Sequence, residues 1–259
     1  MANFSTDAIL LRKTEYGDYD FIITFLTRDR GKLPVIAKNA KQSVRRFSGA
    51  LDLFSANHIH CAFPKKNKDG LVIMTQSDLD NGFAAIRYDL WKTAYASYWV
   101  EMMTLWLEEG KPQTELYDLL YFSLDTLTRS DIRPEVVNLM YQIRFMGSSG
   151  FAPILDHCAH CEKELDDIHQ NRLRFDFKEG RVICGQCRGH ASRFGMEISK
   201  GTLKQLAWIN GTEITRADRI KFSPMAIREG EILLESFIPF HIGREFRSLA
   251  FLNRLRQDR

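Results

Sequence analysis

Phe21-Ile22-Ile23-Thr24-Phe25-Leu26-Thr27 decides the fold of the N-terminal part of this chain. The run is dense in β-branched and aromatic side chains, which suit a pleated, half-buried surface, and it reads as a strand. Similar runs lie on either side. Ala8-Ile9-Leu10-Leu11 precedes it, and Leu33-Pro34-Val35-Ile36-Ala37 follows, with Pro34 pointing to an edge or a strand start. Asn57-His58-Ile59-His60-Cys61-Ala62-Phe63 alternates polar and apolar, the mark of a half-buried strand. A Lys-rich turn ending in Asp69-Gly70 leads into Leu71-Val72-Ile73-Met74, a hairpin signal. Five short strands within residues 1–80 suit a small barrel, and the OB-fold is the five-stranded option.

Residues 81–150 change period. Trp91, Tyr95, Tyr98, Met102 and Trp106 recur at steps of three and four, an apolar stripe that predicts a core-packed helix rather than a base-stacking row. Gly110 and Pro112 stop it. Leu116, Leu120, Leu124 and Leu127 make a second stripe. Val136, Met140, Ile143 and Gly147 make a third, after Pro134 near a helix start. Helical patterning returns over residues 199–256, where Ser223-Pro224 is an N-cap followed by a first-turn proline.

Between these helical parts lie two matched pairs, Cys158-x-x-Cys161 and Cys184-x-x-Cys187, separated by 22 residues. Each Cys-x-x-Cys turn aims two thiolates at one point, and two such turns complete the tetrahedron that zinc accepts. Asn171-Arg172-Leu173-Arg174-Phe175-Asp176-Phe177 alternates like a strand. Lys178-Glu179-Gly180 is a turn, and Val182-Ile183 leads back, so a hairpin delivers the second pair to the first. His157 and His160 flank the first pair as alternative ligands or as solvated neighbours. A competing reading takes His160-Cys161-Glu162 as the H-x-E of a zinc deaminase, with Glu162 as proton shuttle. Ile183 stands where that pattern has proline, and a fourth thiolate leaves no position for a reactive water. The expectation is therefore one structural zinc ion held by Cys158, Cys161, Cys184 and Cys187.

Charge is concentrated rather than abundant. The 259-residue chain carries a formal charge of only +3, yet Arg28, Arg30, Lys32, Lys38, Lys41, Arg45 and Arg46 are opposed within their segment by Asp29 alone. Lys65, Lys66 and Lys68 add a second basic turn in the same candidate barrel. Such a surface neutralises phosphates and releases counterions. A solvated loop is the plainer alternative. Phe47 and Phe54, beside the run, are placed either to stack bases or to pack in the core. Arg244, Arg247, Arg254, Arg256 and Arg259 form a third positive region.

The apolar fraction of 44% is that of a globular chain. Residues Met1 to Asp7 lack a basic, then apolar, leader pattern. Ile232 to Phe240 is interrupted by Glu235 and Pro239 and falls short of the roughly 20 apolar residues that span a bilayer. Five cysteines, an odd count, argue against a disulfide framework. A cytoplasmic protein without membrane association is expected.

The order of parts resembles the RecO family of bacterial recombination and repair mediators. The resemblance is carried by Ala8-Ile9-Leu10-Leu11-Arg12-Lys13-Thr14-Glu15-Tyr16-Gly17-Asp18, by Leu26-Thr27-Arg28-Asp29-Arg30-Gly31-Lys32, and by Ala37-Lys38-Asn39-Ala40-Lys41 through Arg45-Arg46-Phe47-Ser48-Gly49 and Leu51-Asp52-Leu53-Phe54. Further on it runs from Ile143-Arg144-Phe145-Met146 through Gly150-Phe151-Ala152-Pro153 into Asp156-His157-Cys158-Ala159-His160-Cys161. It implies an α+β protein: an N-terminal five-stranded OB-fold β-barrel over 1–80, an α-helical domain over 81–155 and 195–259, and an inserted four-cysteine zinc module over 156–194. It implies binding and annealing of single- and double-stranded DNA. It also implies action with RecR, binding of the acidic C-terminal tail of single-stranded DNA-binding protein, and loading of RecA onto coated single strands. No enzymatic chemistry and no small-molecule substrate are implied, and the setting would be the bacterial cytoplasm and, during repair, the nucleoid. The DNA contacts carried over are Arg28, Lys32, Lys38, Lys41, Arg45 and Arg46, with Lys65 and Lys66 from the second basic turn. Arg129, Arg133 and Arg144 are candidates for the acidic tail. A zinc-dependent, deaminase-like enzyme and a scaffold that does not bind DNA are the competing functions.

Overall fold

A computed structural model describes residues 3–43, 45–47, 49–64, 70–129, 133–210 and 221–258. The N-terminal strands are β1 (Asn3–Tyr16), β2 (Asp20–Thr27), β3 (Gly31–Ala37), β4 (Ala56–Ala62) and β5 (Val72–Asn81). They pair in the order β1-β2-β3-β5-β4, and β4 returns to β1 to close a barrel. Most seams are antiparallel. The thinnest is the parallel β3–β5 pairing, which covers Val35↔Val72 and Ile36↔Ile73. Pro34, expected at an edge or strand start, lies inside β3 opposite Thr24. It is tolerated there because the short β5 seam begins one residue later and does not involve it.

Period two explains the barrel core. Ala8 and Leu10, Ile23 and Phe25, Val35 and Ala37, and Ile59 and Cys61 alternate inward and are buried in one cluster. Each large member contributes about 1.5–3 kcal/mol of apolar burial. Phe47 joins that cluster from the loop after β3, and Phe54 is buried as well. Neither phenylalanine is available to stack a base, because each serves the core.

Helices follow: α1 (Ala84–Arg87), α2 (Leu90–Trp106), α3 (Thr114–Thr128) and α4 (Pro134–Ser148). Asp89 caps α2 by accepting hydrogen bonds from the backbone N–H groups of Trp91 and Lys92. Tyr95, Tyr98 and Met102 of the predicted stripe are buried, and so is Trp99 beside it. More than one face of α2 is apolar because it is a central, enclosed helix. Leu116, Leu120, Leu124 and Leu127 of α3 and Val136, Met140 and Ile143 of α4 are buried as predicted, whereas Gly147 is exposed, Trp91 and Trp106 are half-buried, and α4 is enclosed on nearly every side.

The cysteine segment is larger than a hairpin. Strands β6 (Ile154–Cys158), β7 (Arg172–Asp176), β8 (Arg181–Ile183) and β9 (Gly195–Ser199) form one sheet in the order β6-β8-β7-β9. Sheet therefore extends into residues 154–155 and 195–199, which the expected domain bounds place in the α-helical domain. Five-residue strands offer too few residues for a period to show, and their partners lie far along the chain. Helices α5 (Lys200–Asn210), α6 (Pro224–Ile242) and α7 (Arg247–Gln257) complete the chain. Ser223 caps α6 as expected, accepting from the Ala226 N–H at 3.1 Å. A Cβ on Gly230 of α6 would lie 3.1 Å from methyl groups of Leu139 and Leu206, closer than they accept without shifting.

Residues 1–128 with 250–259 form one compact unit, and residues 129–249 form a second. No helix among the described residues is long and apolar enough to cross a membrane.

Candidate metal centre and nucleic-acid interface

The four cysteines converge. The sulfurs of Cys158, Cys161, Cys184 and Cys187 all lie within 4.8 Å of one another. Cys158 ends β6, Cys184 follows β8, and the parallel pairing of those strands sets Cys158 opposite Val182. The first turn is closed by the Glu162 N–H donating to the Cys158 carbonyl at 3.0 Å, with Glu162 at φ 56. The second is closed by the Cys187 N–H donating to the Cys184 carbonyl at 3.1 Å. The Cys184 N–H points at the Cys158 sulfur, 3.3 Å away. Burial opposes ionisation of Cys158, but the N–H groups of Cys161, Cys184 and His160 outweigh it and bring the thiol down to about 6. Desolvation and the neighbouring sulfurs push Cys187 up to about 12. Four sulfurs packed so closely cannot all carry charge without a cation among them, so the donor set fits a thiophilic, tetrahedral metal ion.

The flanking histidines are turned to other partners. His157 Nδ1 meets Asp156 at 2.7 Å, and the rings of His160 and His190 lie 4.8 Å apart. Glu162 is exposed and lies outside the sulfur cluster, which is closed by four thiols. That arrangement lacks the open coordination position a deaminase needs.

Two carboxylates that sequence reading missed hold this unit together. Asp176, fully buried, accepts from the backbone N–H groups of Lys178 and Glu179 and from the Ser192 hydroxyl at 2.9 Å. Burial raises its pKa, yet these donors leave it below the ordinary value. Glu229 of α6 accepts from the Ser199 and Thr202 hydroxyls at 2.6 and 2.7 Å and from Arg172 at 2.8 Å. Burial opposes its charge, and those donors overcome it to leave the carboxyl at about 2.

The basic segment divides between the two ends of β3. Lys38, Lys41, Arg45 and Arg46 are exposed on the loop after β3. Arg46 donates to the Lys38 carbonyl at 2.9 Å and to Ser43, and its guanidinium lies 4.9 Å from the Phe47 ring centre. The buried Phe47 thus anchors the loop that displays the cations. Arg28 and Lys32 sit at the opposite end of β3, since six residues of strand span about 20 Å. Arg28 pairs with Asp118 at 3.3 Å, beside a cavity of about 280 Å³ that Tyr117, Tyr121 and Asp80 also line. Lys32 donates to the Thr104 carbonyl at 3.0 Å. Lys65 and Lys66 lie outside the described residues. In the second unit, Arg133 precedes α4 and donates to the Phe222 carbonyl, while Arg144 is half-buried eleven residues on, about 16 Å along the helix. Arg129 is exposed. In the C-terminal cluster, Arg256 donates to the Tyr95 hydroxyl at 3.3 Å.

Comparison with known proteins gives two family matches. The Recombination protein O N-terminal model matches residues 1–83, and the Recombination protein O C-terminal model matches residues 87–250. The chain is 41% identical over 257 residues to the DNA repair protein RecO of Desulfatibacillum aliphaticivorans, covering 99% of each chain. It is 34% identical to the DNA repair protein RecO of Desulfosudis oleivorans, again over 99% of each. It is 30% identical to that of Geobacter metallireducens over the full length of both. Matches that cover both units, end to end, place this chain in the recombination protein O family.

Proposed function

We propose that this protein is a DNA repair and recombination mediator that binds single- and double-stranded DNA and anneals complementary strands. With RecR, it would help load RecA onto single strands coated by single-stranded DNA-binding protein. The observation that carries the reading is the exposed set Lys38, Lys41, Arg45 and Arg46 on one loop of a closed five-stranded barrel. Annealing needs no nucleophile or general base. It needs cations that let two polyanions approach, and a surface that holds strands loosely enough to pair.

In this reading residues 1–80 are the DNA-binding domain, and Arg28 and Lys32 are secondary contacts that must first leave Asp118 and Thr104. Lys65 and Lys66, outside the described residues, are proposed as further DNA contacts. Arg129, Arg133 and Arg144 serve the acidic tail, which in extended form can reach two separated cations. One zinc ion held by Cys158, Cys161, Cys184 and Cys187 clamps the β6–β9 sheet and takes no part in chemistry. The deciding experiment measures annealing of complementary strands coated with single-stranded DNA-binding protein, with and without that protein's acidic tail. Tail-dependent annealing is expected. No annealing, and no retained complex in a low-salt gel shift, would favour a scaffold that contacts proteins alone.

A further inference from the structure

Tyr16 and Tyr19 flank the tip of the β1–β2 hairpin and are 55% and 49% exposed. Other aromatics of this unit are exposed too, Tyr88 at 90% among them, but among the described contacts the tip that carries Tyr16 and Tyr19 is joined to the cationic loop and Tyr88 is not. The tip is a well-held structure. The β1–β2 ladder continues to Tyr16↔Asp20, and the turn is made by Gly17 at φ 58, with open space around its Cα. The cationic loop is stitched to this tip. The Lys41 N–H donates to the Tyr19 carbonyl at 3.1 Å, and the Asn39 N–H donates to Asp20 at 2.8 Å. The Lys41 ammonium reaches Glu15 at 2.8 Å and the Gly17 carbonyl at 3.3 Å. Arg46 binds the same loop through the Lys38 carbonyl. Two exposed rings therefore share one hydrogen-bonded surface with Lys38, Lys41 and Arg46, Lys41 being paired with Glu15, and Arg45 is exposed on the same loop. The local carboxylates are covered in part, Glu15 by Lys41 and Asp20 by Asn39, while Asp18 is exposed at the tip.

We infer that Tyr16 and Tyr19 are a base-stacking site for unpaired nucleotides, which makes this barrel prefer single strands over duplex. The reason lies in what each ligand offers. Phosphates are common to single strands and duplexes, so the cations serve both. Base faces are open only in a single strand, so rings at the edge of the cationic loop add affinity for that form alone. This inference rests on the DNA-binding reading above.

The test uses the full-length protein and two fluorescent probes, an oligothymidine and a mixed-sequence duplex of the same length. The double variant Tyr16→Ala/Tyr19→Ala is expected to bind the single strand about tenfold more weakly or worse, on the scale of one or two lost stacking contacts. Its duplex affinity and its salt dependence should be unchanged, and Tyr16→Phe/Tyr19→Phe should keep the wild-type preference. Unaltered single-strand binding by the alanine variant overturns the inference, as does an equal loss on both probes. Arg45→Glu/Arg46→Glu separates the two readings. If it loses both ligands while the alanine variant loses neither, the DNA-binding reading stands and the stacking site falls. If the wild type binds neither probe, both fall.

Discussion

The Glu229 carboxylate accepts the Ser199 hydroxyl at 2.6 Å and so fastens helix α6 to the end of strand β9. Thr202 and Arg172 complete the set of donors, and the Glu229 side chain is only 14% exposed. Its pKa falls from the ordinary 4.5 to about 2. A depressed carboxylate stabilises the fold above its unfolded value and loses that contribution as pH falls through its folded one. The contribution is on the order of 3 kcal/mol at neutral pH, and it fades between about pH 5 and pH 2. Glu229→Gln should therefore lower stability at pH 7 by about 2 kcal/mol and flatten the acid limb of a stability–pH curve from urea titrations. An unchanged acid limb would show that other carboxylates set it.

A Cβ on Gly31 would lie 2.0 Å from the Lys111 carbonyl oxygen, and Gly31 has φ +67. The β2–β3 turn is pressed against the segment between α2 and α3, where the Gly110 N–H donates to the Lys32 carbonyl at 3.1 Å. Gly31→Ala combines a left-handed backbone with a backbone clash that no rotamer relieves. It should cost about 2–4 kcal/mol. Gly17→Ala, equally left-handed but with open space around it, should cost only about 1 kcal/mol. Thermal unfolding of the two variants side by side checks the difference.

The contrast between these glycines bears on what the sequence could reveal. Strands β1 to β5 and helices α2 to α4 were legible because each carries its own period over enough residues, as do Ile23 and Phe25 or Leu116 and Leu120. The cysteine pairs were legible because Cys158-x-x-Cys161 and Cys184-x-x-Cys187 repeat a spacing. Strands β6 and β9 were not, since their pairing is decided by partners far along the chain. Glu229 and Asp176 are lone carboxylates in sequence, and their donors converge only after folding. The basic run from Arg28 to Arg46 looks continuous until β3, running through its middle, carries its two halves to opposite ends of the barrel. Phe47 shows the same limit: beside Arg46 it resembles a stacking residue, yet it fills the barrel.

Zinc removal should loosen the second unit without unfolding it entirely. The sheet has apolar support of its own: Leu173, Phe175, Val182 and Ile198 are buried, and Phe175 meets Phe237 of α6 edge to face at 5.2 Å. A metal held there would therefore add to a core rather than replace one. One zinc per chain is expected by elemental analysis. Cys184→Ser should release it and lower the thermal midpoint, with hydrogen exchange rising first around residues 158–161 and 184–187. Glu162→Gln should leave metal content, stability and DNA annealing as they are. A metal-dependent loss on that substitution would revive the deaminase reading.

The two ends of β3 should respond differently to charge. Single-strand affinity falls with salt by a slope of about 0.7 per phosphate contact. Arg45→Glu/Arg46→Glu removes two exposed cations, so the slope should shrink by about 1.4 while affinity at low salt drops steeply. Both side chains lie outside the core and Phe47 still plugs the barrel, so the thermal midpoint should fall only slightly, by the loss of the Arg46 bonds to the Lys38 carbonyl and Ser43. Lys32→Ala should act mainly on stability. Its ammonium must leave the Thr104 carbonyl at the far end of β3 to reach a phosphate, so stability should fall modestly and the salt slope shrink by well under about 0.7. Anisotropy titrations with an oligothymidine at four salt concentrations, paired with thermal melts, read both quantities. A slope that shrinks equally for Lys32→Ala would mean that the phosphate path runs the whole length of the barrel and draws Lys32 away from the helix it now supports.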